Sequence, residues 1–458
     1  MVVVSDFWDS TQDVPLVLGT IFLLTTAVLW TIYNLLSRTD IPHIRGILEI
    51  PGALPVTGHL TQLGDDHAST CETWWRQYGQ SVFQIRLGNT RVVVVNSFED
   101  CKNILIKNTK GLIDRPKLYT FHGLISSTQG FTIGSSPWDE SCRNKRKAAS
   151  TTLSKAMMKN YHNIFDLESY CIVRDLLRDT KNGALEVKFR PYIQRYALNT
   201  TLTLCYGIRM DEVYDDLLRE ILQYARSKEL RERRDKYLNE LLGKGIKYQD
   251  RAYEEIKKRY PDIATAWADN FEKEDVPYLN AVVKEAGRYY TVSNMSLPRK
   301  TMSDVRWGDA VIPKNTMVLI NAQAGNHDTD HWGPDASTFN PERWLEPPQL
   351  PSSLHVEKIF SSTLHLSFVA GSRSCPGATI ASKLMYAALF RLLSLYRIEA
   401  SKTDPPNTDY VDYNLMKSAL VAIPRDFKIK LSPRDGTGDL ARKVTKVGQE
   451  RTKEFYKE

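Results

Sequence analysis

No two of the six cysteines, Cys71, Cys101, Cys142, Cys171, Cys205 and Cys375, share the short spacing of a metal knuckle or a small disulfide framework. A zinc site and a disulfide-stapled scaffold are therefore not expected. No internal repeat is visible, which argues against a solenoid or propeller. The formal charge of +7 is modest and spread along 458 residues. No nucleic-acid-binding motif accompanies it, so an anionic membrane surface or an acidic partner suits it better than DNA or RNA.

Charge is also missing from Pro15 to Leu36. As a helix this run would reach about 33 Å, enough to cross a hydrocarbon core. Asp6, Asp9 and Asp13 precede it, and Arg38 and Arg45 follow it. That bias predicts residues 1–14 on the lumenal side, a transmembrane anchor at 15–36 and a cytosolic main domain. A basic leader and a small-residue cleavage site are absent, which speaks against a removed signal peptide. The Pro- and Gly-containing stretch within 37–60 reads as a joint, residues 61–432 as one large domain, and 433–458 as a polar, mobile tail.

Along the chain, residues 81–97 alternate and are rich in Val and Ile, with a turn at Gly88-Asn89, the pattern of a hairpin. Short strands are expected again near 298–320 and 417–431. The remainder has helical period and charged faces, so the expected class is mainly α with small β-sheets.

One cysteine sits in an informative setting: FVAGSRSCPG, Phe368 to Gly377. The apolar run after it predicts a helix over 378–393, with Pro376 near its first turn. Amide dipoles at that helix start would stabilise the Cys375 thiolate. Gly371 and Gly377 leave out side chains where the backbone must turn sharply or pass close to a bound group. A thiolate in such a place is a candidate axial ligand of haem iron, where its electron donation favours O–O cleavage. Phe368 could cover the sulfur and Arg373 pair with a haem propionate.

With the ten-residue loop, three further segments in order resemble the cytochrome P450 monooxygenases. They are EAGR (Glu285 to Arg288), the strand and loop IPKNTMVLINAQAGNHD (312–328), and PERW (Pro341 to Trp344). Residues three apart share a helix face, so Glu285 and Arg288 can pair. The resemblance adds Arg343 as the third member of a buried structural network. It implies the P450 fold, a haem-thiolate cofactor, and electrons from NADPH through a membrane-bound flavoprotein reductase at the endoplasmic reticulum. It further implies O2 and a small aromatic substrate as reactants. Trp138 and Arg299 fall where the family places propionate partners. A helix arginine is expected at position 142, but Cys142 stands there, with Arg143 next and Arg146 a turn later; Arg143 is the favoured replacement.

Ahead of E-x-x-R the family carries a long helix over the distal haem face with an A/G-G-x-D/E-T segment. No such segment occurs here. AGNHDT (324–329) follows E-x-x-R and is one residue too long. Instead, residues 226–260 are crowded with charge, although a pocket-lining helix needs an apolar stripe. Two explanations arise: an oxygenase whose sequence lacks an internal piece, with seams near Gln223 and Lys244–Gly245, or a haem-binding relative without turnover.

Within the family, runs such as 114–142, 190–211 and 276–301 resemble the fungal enzymes that hydroxylate the ring of phenylacetate or 3-hydroxyphenylacetate on the route to homogentisate. Tailoring of an aromatic secondary metabolite is the alternative, since fold and haem do not fix substrate. Candidate substrate contacts are Tyr119, Phe121 and His122 before Trp138, Val292 and Met295 after E-x-x-R, and Met416 near the C-terminal hairpin.

Overall fold

The computed structural model describes residues 6–125, 132–215, 246–269, 273–345, 365–419, 421–422 and 424–453. Both proposed seams and most of the charge-crowded stretch lie outside them.

The expected hairpin forms from β2 (Val82–Leu87) and β3 (Thr90–Val95), with Leu87 opposite Thr90 across the Gly88-Asn89 turn. Gly88 has φ +63°, a conformation glycine adopts without steric cost. These strands lie in a five-stranded sheet ordered β1-β2-β3-β8-β5, completed by β1 (Leu48–Glu49), β5 (Arg299–Lys300) and β8 (Met317–Ile320). Side chains alternate across it, as the period of two requires. Val93 and Val95 join Ile44, Phe98 and Leu105 on one face, while Val92 and Val94 join Ile50, Leu63 and Trp75 on the other. The 312–328 segment is a strand followed by a short helix, Ala322–Asn326, rather than by a loop. The side chain of Asn321 caps that helix by accepting from the Ala324 N–H at 3.1 Å.

Helices make up the larger part. The apolar run after Cys375 becomes the helix Ala378–Leu395. It packs against His162–Asp179, Ile246–Arg259, Ile263–Asp269 and the E-x-x-R helix Pro277–Tyr289. In the E-x-x-R helix, Tyr278, Val282, Ala286 and Tyr289 recur at helical spacing and are all buried, with Pro277 in the first turn. A three-stranded sheet, β4-β10-β9, closes the same core with β4 (Val187–Lys188), β9 (Tyr396–Ala400) and β10 (Lys428–Pro433), and β6 (Val305–Trp307) pairs with β7 (Ala310–Ile312) in a separate two-stranded ribbon.

The two ends differ in character. Helix Asp6–Leu36 projects from the globule: its stretch Leu18–Leu36 has mean hydropathy 1.5, is long enough to cross a membrane, and is 0% buried. Ala378–Leu395 passes the same length and composition test but is 61% buried and is a core helix. At the other end, the polar segment expected to be a mobile tail contains the helix Asp439–Lys453, packed on His162–Asp179. Its apolar stripe is narrow and made of small residues: Ala441, Val444 and Gly448, spaced three and four apart, are buried. A Cβ on Gly448 would stand 2.4 Å from the Tyr170 ring. Composition alone hides so thin a face.

Candidate functional site

Cys375 lies two residues ahead of Gly377, the N-cap of the helix Ala378–Leu395, and is partly exposed. Its N–H donates to the Phe368 carbonyl at 3.0 Å, which closes the loop between them. Phe368 thus acts on the cysteine through its backbone. Gly371 has φ +74°, and a Cβ there would lie 2.6 Å from the Leu105 carbonyl oxygen. What demands glycine at this position is the helix Phe98–Lys107 (which carries Leu105) together with the left-handed backbone. Gly377 is less constrained, since its Cβ would meet Cys375 Sγ at an ordinary 3.8 Å. Val369 is at φ +57°, unusual for a β-branched residue, and the strain falls inside the loop.

Four arginines converge next to this loop. Arg373 is 2% exposed and donates to the Ser136 carbonyl at 2.7 Å, to that of Gly134 at 3.3 Å, and to Cys142 Sγ at 3.3 Å. Its guanidinium lies 5.6 Å from the half-buried Trp138 ring. Arg299, from β5, donates to the carbonyls of Leu112 and Ala370, both at 3.2 Å. Arg115 donates to the carbonyls of Leu297 and Pro298. Arg146, on the helix Glu140–Thr152, donates to the Ser374 carbonyl at 2.7 Å and the Ile133 carbonyl at 3.1 Å.

Arg143 is not part of this group. Its side chain is 63% exposed and, among the described residues, reaches only Glu140, at 4.0 Å. The reason is helical phase: within the helix Glu140–Thr152, Cys142 and Arg146 are four apart and share one side, whereas position 143 is rotated by about 100°. The helix arginine facing the loop is therefore Arg146, one turn beyond the buried Cys142.

Burial pushes the guanidinium pKa of Arg115, Arg146, Arg299 and Arg373 below the ordinary range. The positive charge of Arg373 adds to this for the other three. Among the described residues no carboxylate forms an ion pair with any of the four. The Nε atoms of Arg115, Arg299 and Arg373 are buried and lack a hydrogen-bond partner. Concentrated, under-satisfied positive charge of this kind calls for an anionic group. The two propionates of haem, set beside a cysteine sulfur, match that demand. Arg115, which sequence reading passed over, has no local signal in DRPK beyond the extended backbone that precedes a proline.

Behind the loop is a second network. Glu285 and Arg288, both 0% exposed, form a two-point pair at 2.8 and 2.7 Å. Glu285 also accepts from Arg343 Nε at 3.2 Å, from the Asn340 N–H at 2.8 Å and from Trp344 Nε1 at 2.8 Å. Arg288 donates onward to the carbonyls of Asn326 and Ala336, each at 2.7 Å. Arg343 also pairs with Asp335 at 2.9 Å, so two carboxylates balance the two arginines, which is the condition for a buried ion pair to hold its place.

The substrate candidates are scattered by comparison. Tyr119 is 77% exposed. The side chain of Phe121 lies outside the described residues. His122 is buried, and its Nδ1 accepts from the Leu118 N–H at 2.8 Å. Val292 accepts from the Ala422 N–H at 2.8 Å, which brings the segment after E-x-x-R to the C-terminal hairpin region. Met295 packs instead under the five-stranded sheet. Met416 is half-buried, its N–H donating to Asn414.

A cysteine loop backed by an Arg–Glu–Arg network and flanked by a cradle of cations defines a haem-thiolate protein. Residues 49–235 and 241–430 match the cytochrome P450 family, and the chain belongs to it. It is a monooxygenase-type chain whose cofactor is haem, with electrons reaching the iron from NADPH through a reductase as is usual in this family. Phenylacetate 2-hydroxylase of Emericella nidulans is 36% identical over 95% of this chain and 99% of its own length. 3-Hydroxyphenylacetate 6-hydroxylase of the same organism is 28% identical, with 92% and 95% covered. A zebrafish cytochrome P450 structure superposes with TM-score 0.65 at 19% identity, over 80% of this chain and 99% of that one, and supports the fold.

The first of these alignments runs over 528 positions against a chain of 458 residues, so at least 70 positions of it have no counterpart here. The family match itself breaks between 235 and 241, close to the second seam.

Proposed function

We propose that this P450 hydroxylates the ring of phenylacetate or a hydroxyphenylacetate, drawing electrons from a membrane-bound flavoprotein reductase while anchored by its N-terminal helix in the endoplasmic reticulum membrane. The observation that carries this reading is the 36% identity to phenylacetate 2-hydroxylase across 95% of the chain. Bound haem supplies the activation of dioxygen, and its thiolate ligand favours O–O cleavage. The protein holds and orients that group. Cys375 would ligate the iron; Arg373, Arg299 and Arg115, with Trp138 beside Arg373, would receive the propionates, and Arg146 would hold the cysteine loop through the Ser374 carbonyl. Glu285, Arg288 and Arg343 keep the loop in register from behind. The test is incubation of the reductase-reconstituted protein with NADPH, phenylacetate and its hydroxy derivatives. Ring-hydroxylated product is expected, and activity confined to other aromatic compounds would point to a tailoring enzyme.

One observation favours a second reading, a haem-binding chain without turnover: the missing alignment positions. A haem lacking its distal wall would be open to water, which works against controlled oxygen chemistry. Sequencing the message across Gln223 and Lys244 separates the two. Extra in-frame sequence supports the oxygenase, and a message encoding these 458 residues and no more supports the second reading.

A further inference from the structure

The peptide unit joining Ser374 to Cys375 is held at both of its polar atoms. Its carbonyl accepts from Arg146 Nη2 at 2.7 Å, and its N–H donates to Phe368 O at 3.0 Å. Arg146 is 9% exposed and, among the described residues, forms no ion pair with an acid. Its guanidinium is held 2.7 Å from the carbonyl of the residue before Cys375, where burial and the neighbouring Arg373 keep its pKa below the ordinary range. Its second anchor, Ile133 O at 3.1 Å, ties the same guanidinium to the segment before Trp138.

We propose that Arg146 is a positioning residue for the iron-bound sulfur: it clamps the peptide ahead of Cys375 and places a fixed positive charge beside the thiolate. This rests on Cys375 being the axial ligand. The physical consequence is twofold. The clamp fixes the direction from which the sulfur approaches. The charge, in a poorly solvated site, favours whichever oxidation state carries more negative charge, which is the reduced one. Arg146 therefore raises the reduction potential of the bound iron. Cys142 makes the arrangement possible: a small buried residue at the position one turn earlier leaves the inner face to the next cation.

The test is a spectroelectrochemical titration of the haem-loaded full chain in four forms: unmodified, Arg146→Gln, Arg146→Lys and Arg143→Gln. Arg146→Gln should favour the oxidised form about tenfold, a fall of about 59 mV for one electron. Arg146→Lys should recover most of that, because it keeps the charge. Arg143→Gln, on the solvent side, should match the unmodified protein. Equal potentials in Arg146→Gln and Arg143→Gln overturn the proposal. Cys375→Ser tells the two failures apart. If its reduced carbon monoxide complex keeps the thiolate-type spectrum, the ligand assignment is wrong; if that spectrum is lost while Arg146→Gln leaves the potential unmoved, only the role of Arg146 is wrong. Should the chain not retain haem, amide hydrogen exchange over Phe368–Gly377 decides: about tenfold faster exchange at Cys375 in Arg146→Gln, with Arg143→Gln unchanged, supports the clamp, and identical exchange in all forms overturns it.

Discussion

The guanidinium of Arg288 donates to the backbone carbonyl of Asn326 at 2.7 Å, linking the E-x-x-R helix to the residue that holds the start of the cysteine loop. The Asn326 side chain accepts from the Leu366 N–H at 2.8 Å and donates to Thr291 Oγ1 at 2.8 Å and Ser367 Oγ at 3.3 Å. Replacing Asn326 with Ala leaves the buried Leu366 N–H without an acceptor, at a cost of about 1–3 kcal/mol. Denaturant titration should register that loss, and haem content should fall with it. An unchanged midpoint would place the link elsewhere.

Removing one member of the buried pair is the harsher change. Arg288→Ala strands Glu285 at 0% exposure with only Arg343 to balance it, and a loss of about 3–5 kcal/mol is expected. Arg143→Ala, in an exposed pair, should cost less than about 1 kcal/mol. Unfolding curves for the two variants side by side check the contrast.

Gly371 and Gly377 should respond differently to alanine. At Gly371 the new Cβ meets the Leu105 carbonyl oxygen at 2.6 Å with φ at +74°, so both sterics and backbone oppose it. The expected outcome is a protein that loses haem and more than about 1 kcal/mol of stability. At Gly377 the nearest atom is 3.8 Å away, and haem content should be close to that of the unmodified protein. The Soret absorbance per mole of chain measures both.

Acid should act partly through His331. Its ring stacks on Phe98 with centroids 3.7 Å apart, and burial pushes its pKa down to about 4. Between the ordinary value of about 6.5 and that one, the unfolded chain binds a proton that the folded chain does not, so stability falls as pH drops through this window. The full effect is up to about 3 kcal/mol. His331→Phe keeps an aromatic ring and removes the titration. Its stability should vary less between pH 7 and pH 4.5, and identical slopes would contradict this account.

How far the site was legible depended on whether its parts were local. The Cys375 loop, the E-x-x-R pair and the hairpin at Gly88-Asn89 are written in consecutive residues, and reading them needs only spacing. The cation cradle is different. Arg115, Arg146, Arg299 and Arg373 come from four separate segments, and nothing in one announces the others. Arg146 did have a signal, the four-residue interval from Cys142, but adjacency to the expected position favoured Arg143. The helix Asp439–Lys453 was hidden for another reason: among the described residues its buried face is only Ala441, Val444 and Gly448, so a polar composition masks it.

The central claim is that the Cys375 sulfur holds the iron of a bound haem, and the most direct measurement is the carbon monoxide difference spectrum of the reduced protein beside that of Cys375→Ser. The account predicts a red-shifted, thiolate-type Soret band in the first and its loss in the second. The same band in both would contradict it.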